Sequence, residues 1–129
     1  MNWQSITVHS LLLLAASVAA GLFELRPDSD QPQALLLAHL GTELVMLVAY
    51  ACIFAHLAYR VARRHYLHAF LAALLSEVVG ITLTSLVPLE FPPTPVPLLV
   101  VGYSVLLVSL ILGTLIGTRF RLAGRDAAA

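Results

Sequence analysis

The sequence predicts an all-α membrane protein: four antiparallel transmembrane helices in an up-down bundle, with both termini in the cytoplasm. Three observations lead there. Four long apolar runs divide the chain, short connectors rich in helix-stopping residues separate them, and the arginines are concentrated on one side. Of 129 residues, 60% are apolar and 11% charged, about half the charged share of a soluble domain. Mean hydropathy is +0.92. So few polar residues cannot clothe a water-facing surface of this size. The apolar residues also form blocks rather than a helical or strand alternation, which places lipid rather than water outside.

The first run is Ser5–Leu25. Ala15 to Gly21 offers small residues of the kind a signal peptidase accepts, but no Lys or Arg precedes the run and its apolar stretch is long, so it reads as a retained helix. The second run is Ala34–Tyr59, the third Leu67–Val87 and the fourth Val96–Thr118. Each is long enough for the roughly 20 residues that cross about 30 Å of hydrocarbon. Arg26-Pro27-Asp28-Ser29-Asp30-Gln31-Pro32 joins the first pair, Arg60 to Tyr66 the second, and Pro88-Leu89-Glu90-Phe91-Pro92-Pro93-Thr94-Pro95 the third. Proline in these connectors ends helices and holds an extended path. Short connectors make sequential helices antiparallel neighbours. The whole chain, 1–129, reads as one transmembrane domain.

Arginine placement sets the orientation. Arg60, Arg63 and Arg64 lie in the second connector, Arg119, Arg121 and Arg125 follow the fourth run, and Arg26 alone lies in the others. The positive-inside rule then puts the N-terminus, the second connector and the C-terminus in the cytoplasm. The expected location is a bacterial inner membrane, multi-pass. Trp3, Tyr59 and Tyr66 fall at the inner interface and Phe91 at the outer one. Formal net charge is zero, so no basic footprint points to nucleic acid. Cys52, the single cysteine, has no internal disulfide partner and reads as a packed, inert thiol.

Two acids interrupt the apolar runs. Glu77 is central in the third, and Glu43 lies about four residues, roughly 6 Å, outward of the middle of the second. An acidic group at the helix centre disfavours insertion by roughly 2.5–3.5 kcal/mol, so both should face the bundle or a watery cavity. His39, Glu43, Met46, Tyr50 and Ile53 share one face of the second helix by their spacing of four, three, four and three. Ser10, Ser17, Gly21 and Glu24 form a polar stripe on the first helix. Glu77, Gly80 and Thr84 do so on the third, and Gly102, Ser109, Gly113 and Gly117 on the fourth. Antiparallel threading brings Ser17, Glu43, Glu77, Tyr103 and Ser109 to similar depth. The candidate ion- or proton-binding residues are therefore Glu77, Glu43, Tyr50, Tyr103 and Ser109. The plain alternative is a protonated Glu bonding helix to helix.

Glu24, His39 and Glu43, with Asp28 and Asp30 close by, are candidate ligands for a divalent metal, although no complete ligand motif is present. His9, His56, His65 and His68 fall at the cytoplasmic end. His9 or His68 with His56 is the candidate axial pair for haem, against the plainer reading of interfacial histidines. Ser109-x-x-x-Gly113-x-x-x-Gly117 is a small-residue ridge for helix association, serving either contacts within one bundle or a homodimer. No catalytic Ser-His-Asp pattern, phosphate-cradling Gly loop or Cys pair is present, so an enzyme is not the expectation.

In size and helix count the chain is similar to the small multidrug resistance transporters. Their essential glutamate lies in the first helix, and His9 to Gly21 contains none. The four-helix eicosanoid and glutathione enzymes share the length but not their Arg- and Asn-containing signature. No residue role is carried over from either family. The expected function is a small membrane transport protein coupling protons or cations through intramembrane carboxylates. The alternatives are a non-catalytic subunit or anchor among other membrane subunits, and a redox protein holding haem or quinone between helices.

Overall fold

The computed structural model describes residues 2–23, 32–86 and 95–126. It contains four helices: α1 (Trp3–Phe23), α2 (Pro32–Arg60), α3 (His65–Leu86) and α4 (Val96–Asp126). Each start has a local cause. The Asn2 side-chain oxygen accepts the Ser5 backbone N–H at 3.2 Å and caps α1. Pro32 opens α2, where its missing N–H costs nothing. The Pro95 carbonyl accepts the N–H groups of Leu98 and Leu99, the first turn of α4. The turn before α3 places Arg64 at φ 55°, in the left-handed region, and its carbonyl accepts both the N–H and Nδ1–H of His68.

α4 runs past the expected Thr118 to Asp126. Leaving the apolar run does not by itself end a helix, and Arg119, Phe120, Arg121 and Leu122 include no helix breaker. All four helices are long and apolar enough to cross a membrane, with span hydropathies from 1.8 to 2.5. Large apolar side chains are exposed on every one, among them Leu22, Leu44, Leu86 and Leu107. A water-soluble monomer does not present such a belt; a multi-pass membrane protein does. Cys52 is on this exposed side. It is not packed as expected, because its neighbour Ala51 occupies the face turned toward α4.

The most extensive packing joins α2 to α4, the next α1 to α3; among the described residues α1 and α4 do not touch. Small residues make both close pairs. Ser109 Oγ donates to the Leu47 carbonyl at 3.1 Å. One turn on, Gly113 sits against the Ala51 backbone, and one turn further Gly117 sits against Ala55. The association ridge is therefore occupied by α2 of the same chain. In the other pair, Ala69, Ala72, Ala73 and Ser76 are the buried stripe of α3, and the Asn2 N–H donates to His68 Nε2 at 3.2 Å. A cluster including Ile6, Leu13, Phe54, Leu57, Ala69, Ala72 and Leu110 forms the core. It lies toward the end that holds the α1 N-terminus. At the other end Ile81–Leu86 are all exposed, and the helices part.

Arg121 closes the end of α2. Its Nη1 donates to the carbonyls of Ala58 and Val61, satisfying groups that a helix C-terminus leaves without partners. Arg121→Met should remove a charged hydrogen-bonding cap and lower stability by about 1.5–3 kcal/mol, read as an earlier midpoint in denaturing-detergent titration. An unchanged midpoint would show that water takes over those carbonyls at no cost.

Candidate functional site

Where the helices part, a pocket of about 330 Å³ opens among all four. α1 contributes Ser17, Ala20 and Gly21. α2 contributes the face His39, Thr42, Glu43, Met46 and Tyr50, α3 contributes Glu77, and α4 contributes Leu98, Leu99, Gly102, Tyr103 and Leu106. The α2 face arises because spacings of three and four residues return to one side of a helix. Glu43 and Glu77, from different helices, line the same cavity. Both are partly buried.

The polar groups meet in three separate pairs. Tyr103 Oη donates to Glu77 Oε2 at 3.5 Å, a long bond. Ser17 Oγ and Tyr50 Oη lie 2.6 Å apart, and Ser17 Oγ also donates to the Leu13 carbonyl at 3.0 Å. The Tyr50 phenol is thereby held on the pocket wall by α1. His39 Nε2 lies 3.6 Å from Glu43 Oε1, one helical turn away, with both side chains about four-fifths buried. Gly102 adjoins Glu43 across the pocket: a Cβ there would stand at an ordinary contact distance of 3.6 Å from Glu43 Oε1. The walls between these groups are apolar, formed by Met46, Leu98, Leu99 and Leu106.

Four of the five residues expected to bind ions or protons therefore come together: Glu43, Glu77, Tyr50 and Tyr103. Ser109 does not. It is fully buried, and its hydroxyl is committed to the Leu47 carbonyl in the α2–α4 contact. Ser17, on the polar stripe of α1, takes a place in the pocket instead. Thr84 is exposed and bonds to its own helix. Gly80 faces Leu14 of α1.

Of the candidate metal ligands, His39 and Glu43 are adjacent, while Glu24, Asp28 and Asp30 lie outside the described residues, as does Phe91. Among the described residues no three His, Cys, Asp or Glu side chains gather as a metal site. Three of the four histidines at the opposite end, His9, His56 and His68, are engaged with each other or with backbone. His9 Nδ1–H donates to the Ser5 carbonyl at 2.7 Å, so His9 Nε2 is left to accept from His56 Nδ1–H at 3.0 Å. That direct contact leaves no space for an iron atom between the two nitrogens. His68 uses both ring nitrogens, one toward the Arg64 carbonyl and one toward the Asn2 N–H.

Comparison with known protein families, curated proteins and solved structures gave no match. The reading of this site rests on its own residues.

Proposed function

We propose that the chain is a small membrane transport protein in which Glu43 and Glu77 exchange protons for a cation. The observation that carries this is the convergence of two carboxylates from α2 and α3 on one pocket of about 330 Å³. An anion alone in a low-dielectric wall is costly, so each carboxylate there needs a proton or a positive partner. A cation entering between them supplies that partner and releases the proton. The exchange is reversible, and coupling follows from the two occupants competing for the same oxygens. Tyr103 can donate to the ionised Glu77, and Tyr50, fixed by Ser17, offers a second hydroxyl. The apolar walls keep bulk water from replacing either occupant.

In this proposal the helices run antiparallel as an up-down bundle, and the arginine-rich end faces the cytoplasm of a bacterial inner membrane. The carboxylate pocket then opens on the outer side. The test is purified protein in liposomes loaded with a pH-sensitive dye. Na⁺, K⁺, Mn²⁺ and tetraethylammonium are added in turn across an imposed pH gradient. Dissipation of the gradient by at least one of them, absent in empty liposomes, is the expected result. Silence with all four overturns this reading for those cation classes.

A further inference from the structure

A second cavity, of about 500 Å³, lies at the opposite end of the bundle, lined by Asn2, Gln4, Ser5, Val8, His9, His56 and Arg60. Its chemistry is the reverse of the first. No carboxylate lines it, whereas the first holds two. Arg60 brings a permanent positive charge and a planar fork of donors that matches phosphate oxygens. Asn2, which caps α1, and Gln4 and Ser5 in its first turn bring amide and hydroxyl groups. The positive end of that helix dipole adds to the same field. The opposing field is already answered. The C-terminal end of α2 is partly negative, but the carbonyls of Ala58 and of Val61, the residue just after the helix, accept from Arg121. Arg60, at the same end, is left to the cavity. The hydrogen-bonded His9–His56 pair contributes two imidazole rings 5.2 Å apart, held by the Ser5 carbonyl.

The depth also matters. Trp3 and Tyr59 flank the lining residues in sequence and are 60% and 53% exposed. Exposed Trp and Tyr at helix ends mark the headgroup level of a bilayer, and basic pockets between transmembrane helices receive lipid headgroups there.

We infer that this cavity binds a phosphate-type anion through Arg60, in the form of a phospholipid headgroup or a free phosphate. The inference does not depend on transport through the carboxylate pocket, nor on which way the bundle faces. The test is thermal unfolding of the full chain in neutral detergent, with short-chain phosphatidylglycerol or inorganic phosphate added separately. A saturable rise in unfolding temperature is expected in the wild type and in Arg63→Gln, and is lost in Arg60→Gln. Arg63 lies in the neighbouring turn and does not line the cavity, so it controls for general attraction to anions. A rise with phosphatidylglycerol alone assigns a headgroup, and a rise with both assigns a phosphate site open to soluble anions. Equal response of wild type and Arg60→Gln, or no response of the wild type to either compound, overturns the inference. Native mass spectrometry supplies an independent readout should Arg60→Gln fold poorly: the wild type should retain phosphatidylglycerol, Gln4→Leu should retain less, and equal retention counts against the site.

Discussion

Glu77→Gln should leave a protein that inserts, folds and moves no protons in exchange for cations. Glutamine has nearly the shape of the acid it replaces and still accepts a hydrogen bond from Tyr103, so the pocket wall stays intact. It neither ionises nor releases a proton, and the exchange requires both. Insertion should not suffer, since a neutral amide avoids the penalty of an ionised group at the helix centre. In dye-loaded liposomes the variant should match empty liposomes with every cation that the wild type moves. Glu43→Gln should also reduce coupled flux. Tyr103→Phe should reduce it less, because its bond to Glu77 is long at 3.5 Å. Ser109→Ala is the informative control. Its hydroxyl points into the α2–α4 contact and not into the pocket, so flux should persist. Wild-type flux in Glu77→Gln would falsify the carboxylate mechanism.

The second large effect concerns stability. Gly117→Ala adds one methyl group where there is no room. Its Cβ would overlap the Ala55 carbonyl oxygen and stand 2.8 Å from the Ala55 Cα. Gly113→Ala meets the Ala51 carbonyl and, at 2.8 Å, the Phe54 Cβ. In both cases the obstacle includes backbone, so the helices must separate. Overpacking of this kind costs about 1–3 kcal/mol per site. No side-chain substitution at Ala55 should rescue Gly117→Ala, because the collision is with atoms every residue has. Gly80→Ala is the matched comparison: its Cβ would meet only Leu14 Cδ1, at an ordinary 3.6 Å, and stability should hardly change. Denaturing-detergent titration of the three variants ranks them. Similar midpoints for Gly117→Ala and Gly80→Ala would mean that the close contact is not needed for folding.

The helices and the pocket face were legible in the sequence for a simple reason. A stretch of apolar residues long enough to cross hydrocarbon has few other conformations open to it, and spacing of three and four residues fixes what shares a helix face. Spacing groups His39, Glu43, Met46, Tyr50 and Ile53; the first four line the pocket, while Ile53 packs against the core. Which face meets which neighbour was not legible, since periodicity describes one helix at a time. Ser109 shows the difference. It lies on the small-residue face of α4, which turns toward α2; Gly102 on that face lines the cavity, but Ser109, two turns further on, falls where α2 and α4 are packed together. The same ridge could have served a second chain equally well by spacing alone. From sequence Arg121 is only a topological charge, because its capping role depends on α4 continuing beyond the apolar run. The apolar run around Cys52 suggests a packed thiol, but one position of helical rotation from Ala51 carries it outside.

The close pairs α1–α3 and α2–α4 divide the bundle into two units of different adhesion. Within each unit, contact is made by small side chains and backbone: Gly113 on Ala51, Gly117 on Ala55, the Asn2 amide on His68. The bonds Ser17–Tyr50, His9–His56 and Tyr103–Glu77 instead run from one unit to the other. These three are all side chain to side chain. Glu77 belongs to one half and Glu43 to the other, so an ion held by both is also a rivet across that seam.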